Sequence, residues 1–268
     1  MKNIHNSFRF LSILFIALAA FTPSLIKAQA NNYDLYEKQY FIEGDDTLFC
    51  RILSPVHFSP EKKYPLIVVL HGSGERGNDN EAQLKWGGDL FLDSANREKF
   101  PAIVVFPQCP ADSSWSVRRR KQNTDSIRFP MDVPPTKPLR MVMNFIDNLA
   151  KSGTVDTKRI YIGGLSMGGF GTFEILWRKP KTFAAAFPIC GGGNPASAKL
   201  YGKNFPVWVF HGTDDDAVPV ANSRIMVEAL KAAKAKVKYT EYPGVKHDSW
   251  KNAFAEPEFL PWLFGQKR

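Results

Sequence analysis

A serine between glycines lies where an apolar run of strand type meets a segment of helical character. Residues 159–173 read RIYIGGLSMGGFGTF, which puts Ser166 at the corner between the two. Such a corner holds a serine in a strained backbone conformation that exposes its hydroxyl, and small neighbours let other chain segments pass close by. The sequence therefore predicts Ser166 as a nucleophile. The next amide, that of Met167, falls at the start of the helix, where unpaired N–H groups favour developing negative charge.

A serine hydroxyl needs a base to take its proton, and a histidine base needs an acid to fix its tautomer. Three candidate acids, Asp214, Asp215 and Asp216, follow the apolar run VWVFHGT at 207–213. One of them would orient the histidine, and the other two would form the turn, because aspartate favours turns by bonding its own backbone. The residue types alone leave the choice among the three open.

Position along the chain separates the five histidines. His5 falls in the leader, and His57 lies in an early loop flanked by prolines. His71 and His211 each precede a glycine at a strand end, where a structural histidine with satisfied hydrogen bonds is the expected role. His247 follows the last strand in a loop that contains a glycine, and it alone comes after both the serine and the aspartates. His247 is therefore the predicted base.

The negative oxygen of a tetrahedral intermediate needs two backbone N–H donors. Besides Met167, the stretch HGSGERG at 71–77 follows the first buried strand and brings glycines that allow close approach to a substrate. We expect the second donor to be the amide of Ser73 or Gly74. Glu75 and Arg76 would then brace this loop.

The first 30 residues have the pattern of a secretory signal. Lys2 and Arg9 form a positive segment before the apolar run FLSILFIALAAF, and Ala28-Gln29-Ala30 offers a cleavage site. A membrane anchor fits less well, because a span needs about 20 apolar residues. The sequence thus predicts export to a periplasm or the medium, cleavage near Ala30, and a single catalytic domain over residues 31–268.

Composition is compatible with one α/β domain and a sizeable core, since 44% of the 268 residues are hydrophobic. The net charge of +9 includes basic residues of the leader, and the remaining mild excess suits a solvated surface or an anionic polysaccharide. No motif supports nucleic-acid binding. Three cysteines lie in or beside apolar runs, which favours buried free thiols, and no Cys/His spacing suggests a metal or another cofactor.

Apolar runs and turn signals predict the elements that position these residues. Residues 33–54 predict an antiparallel hairpin around Gly44-Asp45-Asp46. Buried strands are predicted at 65–71, 102–106, 160–162, 184–190, 205–210 and 237–242, and helices at 138–151, from 166 to about 178, at 221–234 and at 249–264. Strands alternating with helices indicate a mostly parallel sheet covered on both faces. Residues 109–138, with five prolines, predict a lid or substrate-facing loop near the C-terminal edge of the sheet.

Five stretches together resemble secreted α/β-hydrolases of the esterase D and PHB-depolymerase-like group, with relatives in carbohydrate esterase family 1 and among phospholipases/carboxylesterases. They are LHGSGERGNDN at 70–80, PQCP at 107–110 with Trp115, GGLSMGG at 163–169, HGTDDDAVP at 211–219 and GVKHDSW at 244–250. The chain order of serine, aspartate and histidine is that of the group. In similar proteins the acid falls four residues after the histidine of the His-Gly pair, and this spacing selects Asp215.

The resemblance implies the α/β-hydrolase fold and hydrolysis of carboxylic esters without a cofactor. The implied substrates are acyl esters of carbohydrates, acetyl or feruloyl, or small esters. Gln108 and Trp115 follow a strand and are expected near the substrate, although a core position for Trp115 is equally compatible with the pattern. Trp250, directly after the base loop, is expected to pack. A serine peptidase of the prolyl-oligopeptidase-like type, an acyltransferase and a silent carbohydrate-binding module remain as alternatives.

Overall fold

The structure is a computed structural model that describes residues 32–120 and 127–268. Its described strands are β1 (Glu37–Glu43), β2 (Asp46–Leu53), β3 (Tyr64–Leu70), β4 (Ile103–Gln108), β5 (Arg119–Arg120), β6 (Ile127–Arg128), β7 (Val155–Leu165), β8 (Ala185–Ile189), β9 (Pro206–Gly212) and β10 (Lys236–Tyr242). Eight of them form one sheet in the order β1-β2-β4-β3-β7-β8-β9-β10, and β5 pairs with β6 separately. The predicted signal at 1–30 lies outside the described residues.

The described α-helices are α1 (Gly88–Leu92), α2 (Ser94–Lys99), α3 (Lys137–Lys151), α4 (Met167–Arg178), α5 (Ala198–Tyr201), α6 (Ala221–Ala232), α7 (Trp250–Ala255) and α8 (Phe259–Phe264). From α3 to β10 the described α-helices alternate with strands, α1 and α2 lie between β3 and β4, and α7 and α8 follow β10. Short 3₁₀ turns occupy Asn32–Leu35, Ser73–Glu75, Ala82–Leu84 and Pro195–Ser197. Within the described ranges, no helix combines the length and the apolar character needed to cross a membrane.

Strand direction separates the two ends of the sheet. β1 pairs antiparallel with β2, and β2 pairs antiparallel with β4. Every other neighbouring pair in the sheet is parallel. The predicted architecture, a mostly parallel sheet with an antiparallel N-terminal hairpin, is confirmed. Because the parallel strands all point the same way, the loops that follow them meet at one edge.

Two hydrophobic layers cover the two faces of the sheet. Alternate residues of β3 divide between them, with Leu66 and Val68 in one layer and Ile67 and Val69 in the other. Side chains of α3, α4 and α6 complete the first layer, and those of α1, α7 and α8 complete the second. A strand covered on both faces has no polar side to alternate with, so it appears in the sequence as a continuous apolar run.

The single helix predicted at 249–264 is wrong, because the chain forms α7 and α8 with a break between them. Glu256 ends α7 in an extended conformation, with φ −62° and ψ 119°. Proline at 257 explains the break, since its ring disfavours the helical region for the residue before it. The break redirects the chain so that Phe259 and Leu263 of α8 are buried on the sheet.

Candidate active site

Ser166 joins the end of β7 to the start of α4 with φ 52° and ψ −114°. Such a conformation costs about 1–3 kcal/mol in a residue other than glycine and persists only where the surroundings fix it. Here the Ser166 amide donates to the carbonyl oxygen of Ile189 at 2.9 Å. The turn is pressed onto β3 so closely that a Cβ at Gly168 would overlap the carbonyl oxygen of Leu70. Packing therefore requires a glycine at position 168, two residues after the serine.

Ser166, His247 and Asp215 form a continuous hydrogen-bonded line. Ser166 Oγ lies 2.9 Å from His247 Nε2, and His247 Nδ1 lies 2.8 Å from Asp215 Oδ2. An ionised Asp215 can only accept, so Nδ1 carries the proton and Nε2 is left to accept from the serine hydroxyl. The structure thus brings together the three residues that the sequence nominates. The alternative acids Asp214 and Asp216 are exposed.

The Asp215 carboxylate is buried, and its side chain has no exposed surface. Burial alone would raise its pKa, but hydrogen bonds from His211, from His247 and from the Val218 amide outweigh it and hold the pKa well below the usual range. The Val218 amide donates at 2.7 Å and the Ala217 amide at 3.0 Å, both to Oδ1. Asp215 therefore stays ionised throughout the neutral range and keeps His247 in the tautomer that a general base needs.

A second histidine, His211, contacts the same carboxylate. Its Nε2 lies 2.8 Å from the carbonyl oxygen of Val218 and 3.2 Å from Asp215 Oδ2. Both partners are acceptors, so this nitrogen carries a proton, while Nδ1 lies 2.7 Å from Ser223 Oγ. Sequence reasoning assigned His211 a structural role and missed its contact with the acid. The available signal was its position four residues before Asp215.

His71, by contrast, supports the loop that follows β3. Its Nε2 accepts from the Cys109 amide at 2.9 Å, so Nδ1 must be the protonated nitrogen and donates to the carbonyl oxygen of Gly72 at 2.6 Å. Burial lowers the pKa of His71 to about 4, which keeps the ring neutral at physiological pH. This arrangement matches the structural role predicted for His71.

The loop predicted to supply an oxyanion donor packs at Gly72 against Leu165, the residue before the nucleophile. Ser73 and Gly74 are exposed at its tip. The buried Glu75 accepts from Trp86 Nε1 at 3.1 Å, and Arg76 Nε donates to the carbonyl oxygen of Ser73 at 2.9 Å. Both residues thus brace the loop as predicted. Met167 is the first residue of α4, where the helix leaves amides without internal partners.

Gln108 does not contact a substrate site, contrary to the prediction. Only 1% of the residue is exposed. Its Oε1 accepts from the Asn80 amide at 2.8 Å, and its Nε2 donates to Asp79 Oδ1 at 2.8 Å and to the carbonyl oxygen of Glu75 at 3.2 Å. All of its polar atoms are used within the protein. Gln108 therefore holds residues 75–80 in place and has no surface left for a ligand.

Trp115 is also placed differently from the substrate-binding prediction. It has no exposed surface, and its Nε1 donates to the carbonyl oxygen of His71 at 3.1 Å. Its Cβ occupies the space that a side chain at Gly171 of α4 would need. A residue without exposed surface cannot form the wall of a pocket, so the core position is the correct one. The chain after it is fixed to α4 by a bond of 2.7 Å from the Val117 amide to Glu174 Oε2.

Trp250 packs, as predicted, but it packs on the proposed base. Its ring meets that of His247 edge-on, with centroids 5.2 Å apart and an interplanar angle of 87°. It also contacts Trp86, at a centroid distance of 5.6 Å. Nothing in the sequence around Trp86 predicts this contact. The Trp250 ring thus packs between the imidazole of His247 and the ring of Trp86.

Among the described residues, one group of three side chains has metal-ligating atoms close together, namely Cys190, Asp215 and His247. Asp215 and His247 already bond each other, and burial raises the pKa of the Cys190 thiol far above its usual value. A metal would need the thiolate, so these residues suit proton transfer better than metal binding. All three cysteines of the chain are buried and unpaired, which confirms the prediction of free thiols.

Comparison with known proteins places these features in a wider group. The sequence matches the phospholipase/carboxylesterase family over residues 116–258. A bifunctional acetylxylan esterase/xylanase from Neocallimastix patriciarum is 29% identical over 168 residues, which cover 62% of this chain and 21% of the relative. Feruloyl esterase B from Piromyces equi is 27% identical over 175 residues, which cover 61% of this chain and 28% of the relative. This chain therefore spans only a minor part of the length of these relatives.

A solved thermostable esterase has a closely similar fold. It superposes with a TM-score of 0.80 at 38% sequence identity, and the match covers 88% of this chain and 64% of that one. The predicted α/β-hydrolase fold is confirmed. The family match at 116–258 contains the serine, the aspartate and the histidine of the hydrogen-bonded line.

Proposed function

The chain belongs to the phospholipase/carboxylesterase family, and from that premise we propose that it is a serine carboxylesterase that hydrolyses esters through an acyl-enzyme on Ser166. The observation that carries this proposal is the bonded line from Ser166 Oγ to His247 Nε2 and from His247 Nδ1 to Asp215, at 2.9 and 2.8 Å. A serine, a base and an acid in this order are the parts that nucleophilic acyl transfer requires.

In the first half of the reaction, Ser166 Oγ attacks the carbonyl carbon while its proton passes to His247 Nε2. The carbonyl oxygen takes the electron pair and becomes an oxyanion. We assign the amide of Met167 and that of Ser73 or Gly74 as its donors, since Met167 follows the serine directly and the loop of Ser73 and Gly74 packs at Gly72 against Leu165. Removing one such donor typically costs about 10²–10³ in turnover. The oxyanion then collapses, the bond to the alcohol breaks, and the proton on Nε2 leaves with the alcohol.

In the second half, water replaces the alcohol. It gives a proton to His247 Nε2 and attacks the acyl carbon, and the resulting intermediate breaks down with return of the proton to Ser166 Oγ. Asp215 remains ionised through both halves, because its hydrogen bonds hold its pKa well below the usual range. Its charge stabilises the imidazolium that forms each time.

We propose acyl esters of carbohydrates, acetyl or feruloyl, or small esters as the substrates. The names of two relatives, an acetylxylan esterase/xylanase and a feruloyl esterase, support this class. Export to a periplasm or the medium would bring the enzyme to such substrates, and it rests on the signal-like pattern of residues 1–30. We further propose that residues 109–138 contribute to the choice of acyl group and alcohol.

The test compares the wild-type protein with Ser166→Ala on p-nitrophenyl acetate. We expect turnover in the wild type and a loss of at least about 10³-fold in the variant. Ser94→Ala, which changes an exposed serine at the start of α2, serves as the matched control and should keep full activity. Acid quenching followed by mass spectrometry of peptides should find the acetyl group on Ser166.

Other outcomes would favour the alternatives. Cleavage of peptides without turnover of short esters would identify a peptidase of the prolyl-oligopeptidase-like type. Transfer of the acetyl group to added glycerol in preference to water would identify an acyltransferase. Equal turnover by the wild type and Ser166→Ala would refute the proposal, because no acyl-enzyme could then be needed.

A further inference from the structure

A groove of about 640 Å³ lies between the β5–β6 segment and the loop that follows β8. Phe129 in its wall stacks on Phe170 of α4, with ring centroids 5.6 Å apart. The Phe170 amide donates to the carbonyl oxygen of Ser166 at 3.1 Å, so this wall is one helical turn from the nucleophile. Asn222 forms another part of the lining and bonds Pro219, at the end of the loop that carries the acid.

Two arginines lie opposite each other on the paired strands β5 and β6, which form one side of the groove. Arg119 of β5 and Arg128 of β6 are direct cross-strand partners, and both are exposed and line the groove. Like charges directly opposite on paired strands repel, so an anion bound between the two guanidinium groups relieves this repulsion. The Arg118 guanidinium lies 4.8 Å over the ring of Phe170, the ring on which Phe129 of the groove wall stacks. Asp132 is the one carboxylate in the described lining, so positive charge predominates.

The chemistry of the lining selects the ligand. A guanidinium presents a rigid fork of donors that matches a carboxylate, and two forks can hold one carboxylate from both sides. Asn222 Nδ2 donates a hydrogen bond to the carbonyl oxygen of Pro219, which leaves the side-chain oxygen of Asn222 as an acceptor for a hydroxyl. The volume is that of a small-molecule site, and the mixture of polar and aromatic groups suits a sugar ring better than a lipid chain.

We propose, building on the esterase function proposed above, that this groove binds the acidic sugar of a carboxylate-bearing saccharide ester. Its carboxylate lies between Arg119 and Arg128, and its acyl ester reaches Ser166. The groove then selects the alcohol part of the substrate. Bonds from charged donors to a carboxylate are among the stronger hydrogen bonds, and loss of one corresponds to about tenfold or more in affinity.

The test uses two matched substrates, an acetylated oligosaccharide that carries a uronate and the same oligosaccharide with its carboxyl group reduced to an alcohol. We expect the wild type to deacetylate the uronate form with a kcat/KM at least about tenfold higher than that for the reduced form, mainly because of a lower KM. Roughly 0.5 M salt should decrease this ratio of kcat/KM values, because salt screens exposed charges. Arg119→Gln and Arg128→Gln should each move the ratio toward one. Lys203→Gln removes the same charge at an exposed position just before β9, at the opposite edge of the sheet, and should keep the wild-type ratio.

Binding measured without turnover separates this proposal from the esterase proposal. Calorimetry with Ser166→Ala should find the uronate oligosaccharide bound about tenfold more tightly, or better, than its reduced counterpart. Absence of p-nitrophenyl acetate turnover in the wild type would refute the esterase function and leave this binding preference intact. Equal binding of the two oligosaccharides, or an equal loss of the ratio in Lys203→Gln, would overturn the assignment of the groove.

Discussion

Replacement of Asp215 by asparagine tests the proposed triad with a minimal change of shape. In the wild type, Asp215 Oδ1 accepts from the amides of Val218 and Ala217, at 2.7 and 3.0 Å. Oδ2 lies 2.8 Å from His247 Nδ1 and 3.2 Å from His211 Nε2. The two backbone amides are fixed donors, so in Asp215→Asn they will hold the side-chain amide oxygen at the Oδ1 position. The new NH₂ group then points at the two histidines.

A donor facing the Nδ1–H of His247 changes the tautomer of the ring. The proton moves to Nε2, which can no longer accept from the Ser166 hydroxyl at 2.9 Å. Loss of the correct tautomer costs about 10⁴ in kcat in serine hydrolases with this triad, which corresponds to about 5 kcal/mol of transition-state stabilisation. We expect a loss of that size for Asp215→Asn.

The two neighbouring aspartates provide matched controls. Asp214 is exposed and accepts from Thr213 Oγ1 at 2.7 Å, and Asp216 is exposed and 3.9 Å from Lys246 Nζ. Neither touches His247, so Asp214→Asn and Asp216→Asn should change kcat by less than about threefold, as expected of surface substitutions. The three variants remove the same charge within three consecutive positions.

The assay measures kcat of all four proteins on p-nitrophenyl acetate, with circular dichroism to verify that each is folded. A folded Asp215→Asn protein that keeps more than about a tenth of the activity would contradict the proposed role of Asp215, because a wrong tautomer cannot support general-base catalysis. A loss in Asp214→Asn or Asp216→Asn as large as that in Asp215→Asn would contradict it equally.

Three further predictions concern stability and thiol access. Because burial lowers the pKa of His71 to about 4, the unfolded chain binds a proton between about pH 6.5 and pH 4 that the folded chain excludes. The free energy of unfolding should therefore fall by about 3 kcal/mol as the pH falls through this window. Urea titrations should show this decrease in the control variant His57→Asn but not in His71→Asn. Gly168→Ala should lower the melting temperature or prevent folding, since the added methyl group overlaps the Leu70 backbone. In the control Gly265→Ala, the added methyl group has its nearest neighbouring atoms at 3.4 Å. This control should melt within roughly a few degrees of the wild type, as expected of a neutral substitution. The three buried cysteines should resist a thiol reagent in the native protein, and all three should react in denaturant. A disulfide would contradict this prediction by reducing the number of thiols that react in denaturant.

The strands could be predicted because burial on both faces leaves a plain signature in the sequence. The run at 65–71 and those that precede the serine, the aspartates and the histidine all became strands of one sheet. The acid was harder, since three consecutive aspartates are alike in composition, and only the spacing from His211 selected Asp215. The structure supplies the physical distinction, because the side chain of Asp215 turns inward to two histidines while its neighbours face solvent.

Side chains in irregular segments could not be oriented from the sequence. Gln108 and Trp115 lie at the end of β4 and beyond it, where the sequence has no periodicity, so nothing in the pattern tells which way either one points. Trp115 is buried because Gly171, 56 positions later, leaves room for it on α4. The hairpin that brings Arg119 opposite Arg128 depends likewise on pairing that composition does not reveal. Contacts of this kind are decided by tertiary packing.

The proposed triad is predictable for a further reason, which is that the loops that carry it continue the hydrogen bonding of the sheet. The loops that follow β7, β8 and β9 are each held by a backbone hydrogen bond to one of the last residues of the next strand. These bonds run from Ser166 N to Ile189 O, from Cys190 N to Phe210 O and from Thr213 N to Tyr242 O, at 2.9, 2.8 and 3.0 Å. The strands β7, β8, β9 and β10 are thereby locked together up to the point where the reactive side chains begin. A sequence that specifies these strands therefore specifies where the loops that carry its serine and its histidine begin, whereas the arginine groove is built on a hairpin outside the sheet.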